Sequence, residues 1–216
     1  KYALLTAPTP AGAAAAQAVY PLIQQWAGKQ LLKVSYSGST AKSTAISGIT
    51  DLDLFISLSN DTPENLSEIY QKLATHFEAK GYTVRRQNVS IGITHNGVSM
   101  DLVPARKHPG NTSDHSLYRS KAKTWTQTNV DTHIRVVSQS GRLDEIRATK
   151  IWRALHGLEF TSFYLESWPA RPSFTGTSAA WSTDPDCGLF ADDFHQHALS
   201  AAAVKLTVEN LFPRAE

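Results

Sequence analysis

The sequence predicts an α+β domain: a small mixed β-sheet flanked by helices, followed by a short helical lobe. Three observations lead there. An Ala-rich amphipathic segment comes first; a cluster of short apolar runs with strand character follows, broken by one helix and a hairpin turn; the second half then carries mostly helical periodicity. The 216 residues are 41% apolar and 19% charged, enough for a real core and too apolar for wholesale disorder. Twenty-one Lys+Arg against 19 Asp+Glu leave +2, too little to argue for nucleic acid from net charge alone. One cysteine, Cys187, excludes an internal disulfide framework and a Cys-rich zinc site. No apolar run approaches the roughly 18 residues of a membrane span. No signal-type leader is evident, so a cytoplasmic protein without a membrane partner is expected.

Each element has its own signal. From Pro10 to Ala27, Ala14, Ala18, Leu22 and Trp26 recur at helical spacing and predict a helix packed through that stripe. Leu31 to Tyr36 reads as a strand, Ser37-Gly38-Ser39-Thr40 as a turn, and Ala41 to Ile46 as one or two helical turns. Leu52 to Leu58 reads as a buried strand. Thr62-Pro63-Glu64 predicts a helix start with Thr62 as N-cap, the helix running to about Lys80 with Gly81 as its stop. Tyr82 to Arg86 and Val89 to Thr94 read as strands, and Asn96-Gly97 as a hairpin turn that returns Val98 to Val103 antiparallel. Helices are expected over Asp131 to Ser138, Leu143 to His156, Ser162 to Trp168 and Asp192 to Leu211, with a Pro/Ser/Thr/Gly-rich loop over 167–186.

Three carboxylates carry the chemistry. Asp51 and Asp53 stand two apart at the mouth of an apolar strand, so they share a face while Leu52 and Leu54 point into the core. In the later strand Val98, Met100 and Leu102 take one face, and Ser99 and Asp101 the other. If both strands lie in one sheet, three carboxylates converge. Such a set repels itself unless cations sit between its members, and oxygen donors of this kind suit Mg²⁺ or Mn²⁺. Upstream, Gly38 allows close backbone approach to a phosphate. Ser39 and Thr40 add hydroxyls, and Lys42 adds charge. Each piece alone is common in structural roles; Gly-Ser, then Asp-x-Asp twelve residues after Ser39, then a third Asp on a later strand is a far rarer combination.

The segment Gly38-Ser39-(x)11-Asp51-x-Asp53, with Asp101 downstream, resembles the polymerase-β-type nucleotidyltransferase superfamily. The resemblance implies a palm-like mixed-sheet core and two-metal transfer of a nucleoside monophosphate from an NTP to a hydroxyl. In it Asp51, Asp53 and Asp101 would be catalytic and metal-binding. Gly38, Ser39, Thr40 and Lys42 would hold the nucleotide. The stretch Ser140 to Trp152 looks like the helix after the catalytic sheet in archaeal-type CCA-adding enzymes, oligoadenylate synthases and bacterial cyclic-oligonucleotide synthases (CD-NTases), where a lysine at the position of Lys150 reaches the triphosphate. Ser162-Phe163-Tyr164 resembles the pocket segment that follows it, assigning Ser162 and Tyr164 to the nucleotide. Thr128 to His133 resembles a stretch with a phosphate-contacting histidine, here His133. The implied organisation is a catalytic core over 1–110 and a helical lobe over 111–216 that completes the pocket.

Some features depart from the pattern or stay outside it. Lys42 stands where relatives often have Arg, Ser43 where many have Gly, and 167–186 lacks the apolar helices expected next. Arg85 and Arg86 near a sheet edge fit either a nucleic-acid contact or a solvated strand face. The expected cofactor is Mg²⁺ or Mn²⁺ and the substrate an NTP. The favoured acceptor is another nucleotide, giving a linear or cyclic oligonucleotide signal. Alternatives are an RNA or tRNA 3′ end, a small molecule such as an aminoglycoside, or a nucleotide-binding protein that has lost catalysis.

Overall fold

In a computed structural model, residues 4–5, 7–48, 51–155, 157 and 166 are described. The chain divides into two compact units, Lys1–Leu143 and Asp144–Glu216. In the first, a short strand β1 (Leu4–Leu5) pairs with β3 (Ala45–Ile46). Helix α1 (Pro10–Ala27) starts at Thr9, whose hydroxyl accepts the Gly12 amide, with Pro10 where its missing N–H is no loss. Strand β2 (Leu31–Tyr36) leads into a single helical turn, α2 (Gly38–Ala41), then β3 and β4 (Leu52–Leu58). Helix α3 (Leu66–Ala79) follows, then β5 (Arg85–Arg86), β6 (Ile91–His95), β7 (Val98–Lys107), β8 (His115–Arg119), β9 (Thr124–Thr128) and helix α4 (Val130–Ser138).

The seven-stranded sheet runs β2-β4-β7-β6-β5, and β8 pairs with the far end of β7 and with β9. Only the β4–β7 pair is parallel among these pairings, the others being antiparallel. That pair sits at the centre, as a crossover through α3 and the β5–β6 segment requires. Leu52, Leu54, Ile56 and Leu58 of β4, Ile91 and Ile93 of β6, and Met100 and Leu102 of β7 form one core with α1 and α3. The opposite face carries a smaller cluster of Phe55, Ala105 and Leu117. Period-2 alternation thus sends Asp53 and Asp101 to the face away from the two helices.

Several expectations shift. The α1 stripe is rotated by one residue: Ala15, Ala16, Val19 and Ile23 are buried, Ala14 and Ala18 are exposed, and Leu22 and Trp26 pack at the margin. In an alanine-rich helix neighbouring stripes are nearly equal in hydrophobicity, so the larger Val19 and Ile23 decide the face. The helical turn expected at 41–46 lies earlier, as α2 over Gly38–Ala41, and residues 42–46 hold a turn and β3. The α3 N-cap is Asn65, not Thr62: its side chain accepts the Glu68 amide while Glu68 accepts the Asn65 amide. Thr62 instead donates to the Ser59 carbonyl at 2.7 Å. The second half also contains β8 and β9, so the sheet continues well past residue 110.

In the second unit, α5 begins at the boundary (Leu143–Leu155). The helices expected at 162–168 and 192–211 and the loop at 167–186 lie outside the described residues. Among the described residues no helix is long and apolar enough to cross a membrane.

Candidate active site

The site forms where β4 opens. Asp53, second in that strand, is the register partner of Asp101 on the parallel neighbour β7. Directly paired residues on adjacent strands project to the same face, so the two carboxylates stand side by side. The Asp53 carbonyl accepts the Ser37 amide at 3.0 Å, which ties the turn before α2 to the strand. Gly38 then passes directly over the Asp53 side chain. It has φ +54, and a Cβ there would overlap the Asp53 carboxylate. Positive φ and lack of space together require glycine at this position.

Asp101 is held from the other side. Gln87 donates from Nε2 to Asp101 Oδ1 at 2.9 Å, and Ser90 donates to Oδ2 at 3.5 Å. Gln87 is itself fixed: its carbonyl accepts from Tyr70 at 2.6 Å and from Ser120 at 2.7 Å, and its amide donates to the Ser90 carbonyl. Burial and the nearby Asp51 charge push the Asp101 carboxyl above its ordinary range, against smaller opposing effects of Arg85, Gln87 and Ser90. Asp51, at the mouth and half-exposed, lies 3.8 Å from the Arg85 guanidinium. Two of the three acids therefore adjoin in register, and the third is drawn toward a cation at the sheet edge. Among the described residues no three acidic, His or Cys side chains close around one point. Ser39, Thr40 and Lys42, on and just after α2, are buried.

The sequence matches no protein-family model and no curated protein. Solved structures do match. The CdnE cyclic dinucleotide synthase of Elizabethkingia meningoseptica, solved with GTP and Apcpp, superposes with a TM-score of 0.60 at 16% identity, over 74% of this chain and 68% of that one. The STING-associated CdnE c-di-GMP synthase of Capnocytophaga granulosa does so at 0.60 and 17%, over 74% and 58%. The CdnE c-UMP-AMP synthase of Rhodothermus marinus gives 0.51 at 16%, over 73% and 70%. This chain has the CD-NTase fold. It spans between 58% and 70% of the three solved chains.

Within that nucleotidyltransferase fold, the residues singled out in the second half fall in different places. His133 is half-buried on α4, whose N-cap Asn129 accepts the Thr132 amide at 3.0 Å. Lys150 lies on α5 in the second unit, fully buried and ion-paired with Glu166. Ser162 and Tyr164 lie outside the described residues. Of the basic residues at the end of β7 and just after it, Arg106 donates to the Glu64 carbonyl and His108 bonds Ser116.

The residues around Asp101 escaped the sequence reading. Gln87 and Ser90 sit in a polar stretch without periodicity, and nothing there marks them. Gly92 did leave a signal, a glycine inside a strand, which commonly marks a close approach. It stands opposite both Asp101 and Arg85 in the sheet.

Proposed function

We propose that the chain is a divalent-metal-dependent nucleotidyltransferase that moves a nucleoside monophosphate from an NTP to a hydroxyl of a second nucleotide, building short linear or cyclic oligonucleotides. The observation that carries this reading is Asp53 beside Asp101 on adjacent parallel strands, with the bare Gly38 backbone against Asp53. The fold shared with cyclic dinucleotide synthases supports the choice of acceptor.

The donor set fits Mg²⁺ or Mn²⁺: hard carboxylate oxygens, with Asp101 partly desolvated next to the Asp51 charge, a pairing that a cation relieves. Asp51 and Asp53 would hold both ions, and Asp101 the one nearer the acceptor. When bound, such ions acidify an attacking hydroxyl and neutralise charge on the phosphates and the leaving pyrophosphate. The chain's own residues bind and orient. Ser39 and the amides of the α2 turn hold the β- and γ-phosphates, with Lys42 adding charge. Asp101, beside the acceptor, would also receive the proton of the acceptor hydroxyl. The acceptor oxygen bonds to the α-phosphorus as the bond to the bridging oxygen breaks, and pyrophosphate leaves. The roles of His133, Lys150, Ser162 and Tyr164 toward the nucleotide rest on the resemblance alone.

The test is product analysis. Each labelled NTP, and all four together, is incubated with Mg²⁺ or Mn²⁺, with and without tRNA, beside an Asp51→Ala/Asp53→Ala protein. Small phosphatase-resistant products without RNA, lost in the variant, are expected. Label only on RNA would move the acceptor to a 3′ end. NTP binding without incorporation would make the protein an inactive nucleotide binder. Full activity in the variant would overturn the site.

A further inference from the structure

One row of the sheet runs Asp53, Asp101, Gly92, Arg85 across β4, β7, β6 and β5. These residues share the face that bears the carboxylates. Gly92 has no side chain, and two neighbours occupy the space it leaves. A Cβ there would stand 2.9 Å from Arg85 Nε, 3.0 Å from Gln87 Nε2 and 3.1 Å from Arg85 Nη2. The guanidinium thus fills the space beside Gly92 and reaches toward the acids. Its Nη2 donates to Ser99 Oγ at 2.8 Å and stands 3.8 Å from Asp51 Oδ2. Ser99, two residues before Asp101 on β7, aims the fork toward the mouth of β4. Asp101 also feels the Arg85 charge. Gln87 takes the inner position on Asp101, which leaves Arg85 to serve Asp51.

We infer that Arg85, seated on Gly92, is a positioning residue that occupies the cation side of Asp51 when no metal is bound and must withdraw for Asp51 to ligate one. The inference rests on the proposed metal-dependent function. Its physical basis is charge competition: one carboxylate cannot face a guanidinium and a divalent ion closely without the two cations repelling. Room for withdrawal exists, because Arg85 also lines an open groove between Lys80–Thr83 and Thr94–Asn96. Arg85 is thereby distinguished from Arg86, whose guanidinium is paired with Glu78 of α3.

The experiment measures Mn²⁺ binding without nucleotide, by electron paramagnetic resonance of free Mn²⁺ at low ionic strength. The proteins are wild type, Arg85→Gln, Gly92→Ala, Asp51→Asn and Arg85→Gln/Asp51→Asn. The pair is about half exposed, so removing it should tighten Mn²⁺ binding about two- to fivefold. Gly92→Ala places a methyl where the guanidinium rests and should shift binding the same way. The Arg85→Gln gain should vanish in the Asp51→Asn background. Unchanged or weaker binding by Arg85→Gln, with wild-type binding intact, would overturn the inference alone. No Mn²⁺ binding by either wild type or Arg85→Gln would overturn the metal reading and this inference with it.

Discussion

At Gly38 the backbone and a carboxylate meet with no space for even a methyl group between them. Gly38→Ala would have to shift either the α2 turn or Asp53, and it would also strain φ at +54. A misplacement of about 1 Å at a reacting centre can lower a rate on the order of a hundredfold. NTP incorporation by Gly38→Ala should therefore fall at least that far. Left-handed strain alone costs roughly 1–2 kcal/mol, readable by urea unfolding. A second prediction concerns His115, buried beneath the same face of the sheet. Its Nδ1 donates to the Ser113 carbonyl at 2.8 Å, its Nε2 accepts from Ser57 at 2.8 Å, and its ring meets Phe55 edge-on. Burial holds its pKa below the ordinary value of 6.5. Between that lowered value and 6.5 the unfolded chain binds more protons than the folded one. The contribution of neutral His115 is thus fully present above about pH 6.5 and is lost as pH falls through the folded pKa. His76 acts in the same direction. His115→Asn should be less stable at pH 8, having lost the Ser57 bond, yet lose less stability between pH 8 and 5.5, measured by urea titrations across that range. The placement of Asp53 and Asp101 on one sheet face was legible in the sequence, because strand parity alone separates them from Leu52, Leu54, Met100 and Leu102. Gln87 was not, because its bond to Asp101 depends on a turn that Tyr70 and Ser120 hold from distant elements.

Among the elements, α3 shows how local signals compete. Thr62-Pro63 is a good helix start by composition, but Asn65 and Glu68 lie at capping-box spacing three residues later and satisfy two amides reciprocally. The box prevails because Thr62 is engaged in a turn with Ser59. Asn65→Ala should therefore cost about 1 kcal/mol of stability, typical of a lost N-cap. Thr62→Ala should leave the helix intact. Urea midpoints report the first, and far-UV dichroism of both variants reports the second. The strands with apolar alternation, β2, β4, β6 and β7, were readable, as was the turn at Asn96-Gly97, where both residues adopt positive φ. Strands β8 and β9 were not. HSLYR and TWTQT contain few β-branched apolar residues, and β9 buries no side chain fully. They are strands because β7 extends to Lys107 and presents an edge at Ala105–Lys107 for β8 to pair with. Pairing of this kind leaves no periodic trace in the sequence.

For the molecule as a whole, the charge set that the proposed metal binding would use opposes the stability of the fold. Asp101 has a folded pKa above its ordinary value, through burial first and the Asp51 charge second. Its contribution to stability is thus fully present below the unfolded pKa, with the group protonated, and is lost as pH rises through the folded pKa. Above that folded pKa the ionised, partly desolvated carboxylate costs the fold stability. Asp101→Asn removes that charge, keeps an acceptor for Gln87, and puts an amide donor where Asp101 Oδ2 accepts from Ser90, whose hydroxyl can accept in turn. Without ligand it should melt above wild type at pH 7, and the gap should close at the acid end of the Asp range. Mg²⁺ with a non-hydrolysable NTP should reverse the order. A ligand at a hundred times its Kd stabilises the folded state by about 2.7 kcal/mol, a Tm rise of several degrees for a chain of this size. Wild type should gain that rise and Asp101→Asn should not, so the two melting curves exchange places on addition of ligand. A structural role for Asp101 would make the variant less stable under both conditions, and an inert surface role would leave the curves together. The crossing in rank separates a ligand-binding carboxylate from both, and it reads binding and not turnover, so it applies whichever acceptor the proposed transfer uses.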